Sequence, residues 1–432
     1  GLASGQAQEK KVLTLKEAVS LAATQSSRAS LADTKIETSL YKLQTVKNSQ
    51  YPNLKLSGQA LRLTGAEVVS NLGSRQASDG EAPPASPEVS QLLLAQANVS
   101  FPIFSGFKIK NSIKASENQY QAAISNAKST KQQLAMNAIV LYTNLYKAQQ
   151  SVLLMQENLK SAQQRVKDFT AMEENGLIAR NDLLKAQLQA SNIELSLEEA
   201  KKNVATLNYQ LAVYLKLKEG TQIAIDESIF KDVLAVQGSA SENDALAGRS
   251  DLEALKLVQR ASEANIKIAE ANYYPSVALT GGYAYLNLKN ALEVTNAMNF
   301  GIGLSYDLSS FFKNGKDVKL ARSLASEARQ SADILADQIK IEVQEAQENY
   351  ALSLKQHKVY NEAVIQASEN YRIIKDKYEN GLSNTNDLLE ADVQDLQAKI
   401  NEAFSKASIA LAYYELLNAS GKLTDSFNIT QN

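Results

Sequence analysis

The chain has no cysteine and only one histidine, His357, among its 432 residues. The first absence excludes disulfides, thiolate metal sites and, in the sequence as given, a lipidated N-terminal cysteine. It suits an oxidising compartment. A lone histidine without clustered carboxylates leaves no metal-ligand spacing. No nucleophile with a base beside it and no phosphate-binding loop appears, so nothing in the sequence points to catalysis, a metal or a cofactor. Charge of one sign is missing too: the net charge is −2, the pI is near 5.8, and no basic stripe exists to hold nucleic acid. Long apolar runs are also absent, and mean hydropathy is −0.27. No segment approaches the roughly 18 residues a transmembrane helix needs, so any membrane role has to use strands.

Helix breakers are scarce in a telling way. All six prolines (Pro52, Pro83, Pro84, Pro87, Pro102 and Pro275) lie outside two tracts, 107–219 and 316–420, and each tract holds one glycine, Gly176 or Gly381. Those two glycines sit in the same motif. "ENGLIARNDLLKAQLQ" from Glu174 and "ENGLSNTNDLLEADVQ" from Glu379 share ten of sixteen positions at an offset of 205 residues. The offset also aligns "NVSFPIF" at Asn98 with "GLSYDLS" at Gly303. Upstream, "SQYPNLKLSGQ" at Ser49 and "NYYPSVALTGG" at Asn272 stand 223 apart. The first half therefore carries 18 extra residues, and the proline-bearing stretch Gly73–Ser90 has the composition of that exposed insertion.

Inside each tract the apolar residues step by four and three. Leu134, Ala138, Leu141, Leu145, Ala148, Val152, Met155, Leu159, Ala162, Val166 and Phe169 form one seam. Leu183, Ala186, Ala190, Ile193, Leu197, Ala200, Val204, Leu207 and Leu211 form the next. The second half repeats it at Val393, Leu396, Ile400, Ala403, Ala407, Ala410, Tyr414 and Leu417. That period is a coiled-coil seam, and it predicts two long helical hairpins. A helix from Phe107 to Met172 is on the order of 100 Å long at 1.5 Å per residue. The "NGL" motifs are then the tips, around 173–182 and 378–387. Gly176 and Gly381 take the left-handed conformation that ends one helix, Asn181 and Asn386 cap the next, and Asp182 and Asp387 follow in its first turn. His357 aligns with Val152, which makes it a packed or half-exposed seam residue.

Between the helices the period drops to two. Leu93, Ala95, Ala97, Val99, Phe101 and Ile103 share one face, and Phe300, Ile302, Leu304, Tyr306 and Leu308 share another. Strands are expected around 53–70, 91–104, 276–289 and 298–309, with a slip in the first near Ala60. Gly281 and Gly301 are read as strand glycines that relieve crowding inside a narrow barrel. The pattern suits a soluble sheet with one buried face as well as a membrane barrel. Two facts favour the membrane: four strands cannot close a barrel, since single-chain barrels begin at about eight, and lipid tolerates no open edge. Several chains must then share one barrel. The organisation along the chain is a segment 1–13, set aside as a remnant of an export signal or residues added for expression; a first repeat, 14–217; a linker, 218–245; a second repeat, 246–421; and a tail, 422–432.

The duplication, the Tyr51-Pro52 and Tyr274-Pro275 strand starts, "FPIFSGFK" from Phe101 and the two tips resemble the outer-membrane efflux protein family, the TolC-like channels of Gram-negative bacteria, from about Leu13 to Gly421. The resemblance implies a mainly helical fold with a membrane β-barrel. Three copies would give four strands each to one twelve-stranded barrel, and their helices would build a hollow periplasmic α-barrel belted by 218–245 and the C-terminal residues. It implies the exit duct of a tripartite efflux pump or type I secretion system in the outer membrane. The partners would be outer-membrane lipid, a periplasmic adaptor and an inner-membrane transporter of RND or ABC type, with no nucleic acid. Asp387 and Glu390 match acidic positions that ring the family's periplasmic entrance, although helix capping also accounts for Asp387. Glu390 is more telling, because its counterpart is Lys185. Asp182, Tyr378 and Ser383 lie where the family latches the entrance through hydrogen bonds between hairpins. The best-known members carry arginine at the Ser383 position, so a looser or different latch is expected. The tips Asn175, Gly176, Leu177, Asn380, Gly381 and Leu382 would meet the adaptor. The competing reading is a non-channel coiled-coil stalk of the cell surface, which explains the heptads but not the paired strands.

Overall fold

A computed structural model of the chain describes residues 10–67, 88–236 and 238–429. Strand β1 (Lys10–Leu13) is followed by helices α1 (Leu15–Thr24) and α2 (Ser27–Lys47). Strands β2 (Asn53–Glu67) and β3 (Glu88–Ser105) lead into the 67-residue α3 (Lys108–Glu174) and its return, α4 (Arg180–Tyr214). After β4 (Gln222–Ile225), α5 (Ser228–Asp232) and α6 (Glu242–Gly248), the plan repeats: α7 (Ser250–Ala271), β5 (Ser276–Leu288), β6 (Leu292–Ser305), the 70-residue α8 (Ser310–Glu379) and α9 (Thr385–Ala419). A final turn, α10 (Leu423–Ser426), closes the order. The returning helices α4 and α9 have the same length, 35 residues, and keep the offset of 205 residue for residue.

Compaction does not follow the repeat. One unit gathers residues up to 37, 122–255 and from 331 on, and the other gathers 38–121 and 256–330. Each draws on both halves, because a helical hairpin buries its seam against the other hairpin rather than against the strands of its own half.

The first unit holds the main core. Tyr142, Leu145, Leu211, Leu215, Leu252, Ile339, Ile409 and Leu416 are almost fully buried in it. The segment 1–13 does not stay outside the fold: Lys10–Leu13 is β1, parallel to β4, and Leu13 has no exposed surface. The Tyr142 hydroxyl donates to the Leu13 carbonyl at 2.8 Å and accepts from the Asp226 amide at 3.1 Å, clamping the end of that small sheet. Burial lifts this phenol well above its ordinary pKa. His357 is partly buried, with Nδ1 2.7 Å from Ser405 Oγ and Nε2 3.1 Å from the Asn361 amide nitrogen. Seam residues Leu134, Ala138, Leu145, Ala148, Ala162 and Phe169 are buried as the heptads require. Val393 is not. It is exposed, and Asp392 beside it takes the buried position.

The second unit holds an antiparallel sheet in the order β2-β3-β5-β6. Register pairs put Leu54, Val99, Gly281 and Phe300 in one row and Lys55, Asn98, Gly282 and Asn299 in the next. Alternation therefore gives one apolar face and one small, polar face over this part of the sheet. Phe300 is 95% exposed and Ile302 is 72% exposed, so among the described residues nothing covers the apolar face there. The strands differ from expectation in detail. The slip in β2 lies between Arg62 and Ala66 rather than at Ala60. The last strand is 292–305 rather than 298–309, because a register shift between Ala284 and Leu286 lets pairing run to the turn, and Tyr306 and Leu308 lie beyond its end. Residues 88–90 of the expected insertion belong to β3, and 73–87 lie outside the described residues. The crowded strand glycine is Gly282, where a Cβ would meet Asn98 Oδ1 at 2.9 Å and the Ala97 carbonyl at 3.0 Å. Gly301 has open space.

Candidate functional site: the hairpin tips

Each long helix must stop and reverse, and the two tips do so with the same bonds. Gly176 and Gly381 have φ of +71° and +72°. The Leu177 amide donates to the Met172 carbonyl and the Gly176 amide to that of Glu173, both at 2.8 Å. Leu382 and Gly381 do the same to Lys377 and Tyr378, at 2.8 and 3.0 Å. This six-to-one and five-to-two pair is the Schellman closure, which needs a left-handed residue. Asn175 and Asn380 add a side-chain bond to the carbonyl four residues back, at 2.7 and 2.8 Å. Backbone demands thus account for Asn and Gly, but not for Leu177 and Leu382, which are 71% and 77% exposed.

The return helices start two residues earlier than the asparagines suggested. Their N-caps are Ala179 and Asn384, so Asn181 and Asn386 lie inside the first turn and cap nothing. Asn384 accepts from the Asp387 amide at 3.0 Å, and its own amide group donates back to Asp387 Oδ2 at 3.0 Å. Ser383 Oγ also donates to Asp387, at 3.3 Å. Asp387 and Glu390 are both exposed, three residues apart on α9, and Glu390 accepts a local bond from Gln394 at 3.2 Å. Asp182 sits 3.6 Å from Lys185 on its own helix. Tyr378 stacks on Phe169 of α3, with centroids 5.5 Å apart, and its hydroxyl lies 3.4 Å from Thr385 Oγ1. Among the described residues these contacts do not join Asp182, Tyr378 and Ser383 to one another.

Inward of the tips the two hairpins share a small core. Phe169, Leu183, Ala186 and Leu388 are buried there, with Val166, Met172, Ile178, Tyr371, Ile374 and Tyr378 packed around them. Next to it lies a polar cluster that the heptad reading missed. Arg165 of α3 and Asp392 of α9 form an ion pair at 3.0 Å with side chains only 9% and 5% exposed. Arg165 also donates to Gln189 Oε1 at 3.4 Å and to the Tyr371 hydroxyl at 3.0 Å. Gln189 donates to the Leu389 carbonyl and to Asp392, both at 3.4 Å, and Asn158 donates to Asp392 at 3.2 Å. All four long helices contribute. Burial alone would lower the pKa of Arg165, but the Asp392 carboxylate and the Tyr371 hydroxyl outweigh it and raise the value, so the guanidinium stays charged. One turn further, buried Asp395 takes a short bond from Ser368 at 2.5 Å and pairs with Lys399 at 2.7 Å. Asp395 could have been noticed from the sequence, since its repeat counterpart, Ala190, is a seam residue; Asp392, opposite Gln187, gave no such signal.

Two long helical hairpins with matched tips, together with a four-stranded sheet apolar on one face, define the class: an outer-membrane channel subunit rather than a stalk. The comparisons agree. The "Outer membrane efflux protein" family profile matches residues 31–215 and 242–422. The chain is 21% identical over 324 residues to outer membrane efflux protein BepC of Brucella suis, covering 74% of this chain and 70% of that protein. It is 23% identical over 351 residues to outer membrane protein TolC of Vibrio cholerae, covering 78% and 79%. Among solved structures, the Campylobacter jejuni CmeC outer membrane channel superposes with a TM-score of 0.81 at 18% identity, covering 97% of this chain and 87% of that one. The chain belongs to the outer membrane efflux protein family. Its members are outer-membrane channels of efflux pumps, generally trimeric, that work with adaptors and inner-membrane transporters.

Proposed function

We propose that three copies of this chain form one duct through the outer membrane of a Gram-negative bacterium, which carries cargo outward from a periplasmic adaptor and an inner-membrane transporter of RND or ABC type and catalyses no reaction. The observation that carries the reading is the sheet β2-β3-β5-β6, whose edges at β2 and β6 are unpaired and whose apolar face is uncovered among the described residues. In hydrocarbon each unpaired backbone group costs several kcal/mol, so such edges have to pair with other copies. Four strands from each of three chains make twelve, within the range of closed barrels. That the family is generally trimeric supports the number.

In this reading Asp387 and Glu390 of three chains form acidic rings at the periplasmic entrance, which favour cations over anions. Asp182, Tyr378 and Ser383 supply the latch between neighbouring hairpins. The exposed Leu177 and Leu382, on turns set by Asn175-Gly176 and Asn380-Gly381, meet the adaptor.

The test is the native mass after extraction from outer membranes in mild detergent. A particle of three times 47.0 kDa, released only by detergent, is expected. A monomer or dimer in the soluble fraction would defeat the reading and favour a coiled-coil stalk. In planar bilayers, Asp387→Asn with Glu390→Gln should lower the cation preference, and Asp182→Ala should raise open conductance. No change in conductance for the latter would count against the latch.

A further inference from the structure

The acidic residues proposed to ring the entrance have no packing of their own that fixes where they point. Asp387 and Glu390 are exposed, and their hydrogen bonds are local to the first turns of α9. At about 100° per residue, Glu390 stands roughly 200° around the helix from Asp392. Leu388, one turn before Asp392, shares its buried face. Whatever fixes the rotation of α9 about its axis therefore fixes the direction of the two acids. The apolar contacts at Leu388 and Ala391 are non-directional and tolerate small rotations. The Arg165 cluster does not, because an ion pair and hydrogen bonds require particular atoms at particular distances.

Gln189 reaches α9 at two atoms, the Leu389 carbonyl and the Asp392 carboxylate, each at a long 3.4 Å, while Arg165 on α3 bonds Asp392 and, on α8, the Tyr371 hydroxyl, both at 3.0 Å. One hairpin thereby sets the rotation and height of the helix in the other hairpin that carries the acids. We propose that Arg165 and Gln189 are positioning residues of the entrance, acting through Asp392 to aim Asp387 and Glu390 into the aperture. This rests on the reading that those acids line the entrance.

The test uses the full-length protein in detergent and in bilayers, with three variants: Arg165→Met, Gln189→Leu and Tyr371→Phe. The last two delete neutral groups and keep the test alive if Arg165→Met fails to assemble. Hydrogen exchange should speed up by about tenfold or more at the amides of 385–396, while those of 403–416 in the main core stay as slow as in the unaltered chain. Cation-over-anion permeability should fall by about twofold or more, and conductance should rise, in the order Arg165→Met, Gln189→Leu, Tyr371→Phe. Unchanged exchange over 385–396 overturns the inference whatever the conductance does. Faster exchange with unchanged selectivity also overturns it, provided Asp387→Asn with Glu390→Gln does shift selectivity. If that acid pair shifts nothing, the entrance reading itself fails and takes the inference with it.

Discussion

Replacing Tyr142 with phenylalanine isolates one hydroxyl in the main core. The ring has no exposed surface, and its OH donates to the Leu13 carbonyl at 2.8 Å, with the Asp226 carbonyl as a second acceptor at 3.0 Å. It also accepts from the Asp226 amide at 3.1 Å. Loss of the hydroxyl does not orphan every partner, because the Asp226 amide also reaches the Leu13 carbonyl at 3.2 Å. One donor bond and one acceptor bond disappear, and one carbonyl is left short. At about 1 kcal/mol net per bond, with part of a desolvation penalty on the carbonyl, Tyr142→Phe should cost about 1–2 kcal/mol per chain. Tyr142→Ala removes the ring as well and should cost about 3–5 kcal/mol more through the cavity it leaves. Denaturant unfolding of the detergent-solubilised protein measures both, and hydrogen exchange at Lys11–Leu13 should rise in the phenylalanine variant because β1 loses its clamp. Equal losses for both variants, or a loss below about 0.5 kcal/mol for phenylalanine, would refute the assignment of this hydroxyl as the clamp of the β1–β4 sheet.

The buried pair near the tips makes a different demand. Arg165→Met alone strands Asp392 and should cost about 3–5 kcal/mol, whereas Arg165→Met with Asp392→Leu should recover much of that loss, since apolar replacement of a whole buried pair is often neutral; unfolding midpoints compare them. At the tip, Asn384→Ala should cost about 1 kcal/mol by removing the cap on the Asp387 amide, while Asn386→Ala, which caps nothing, should change the midpoint by less than half of that. His357 has a pKa below the ordinary histidine value, first because burial disfavours its charged form, with the cation of Lys406 adding to this and Glu402 opposing it. The unfolded chain therefore binds the proton more readily, so stability contributed by neutral His357 is full above about pH 6.5 and declines as pH falls toward the folded-state value. His357→Gln should flatten that part of the melting curve, and an unaltered pH profile would contradict the assignment.

Much of the tip was legible because its demands are local. A glycine after a long seam specifies a left-handed stop wherever it occurs, and Gly176 and Gly381 stop their helices with the same pair of bonds. The caps were misassigned because Asn181 and Asn386 are good capping types, and the choice between them and Ala179 or Asn384 depends on where backbone dihedrals first turn helical, which composition does not encode. The seam failed at Val393 for a reason of another kind. Heptad spacing assumes that burial follows hydrophobicity, and Asp392 is buried because Arg165, Gln189 and Asn158, all more than 200 residues away, meet it there.

By itself the sequence determined the duplication, the two hairpins, the four strands and the family, since each is written in periods of 3.5 or 2 residues and in turn chemistry that acts over a few neighbours. The tertiary structure alone decided that Lys10–Leu13 is a strand of the main core, that the compact units cross the repeat boundary, and that a charged pair locks the helices behind the tips. Those outcomes depend on contacts between segments far apart in the chain, where the stability of a buried polar group is set by the partners that folding brings to it.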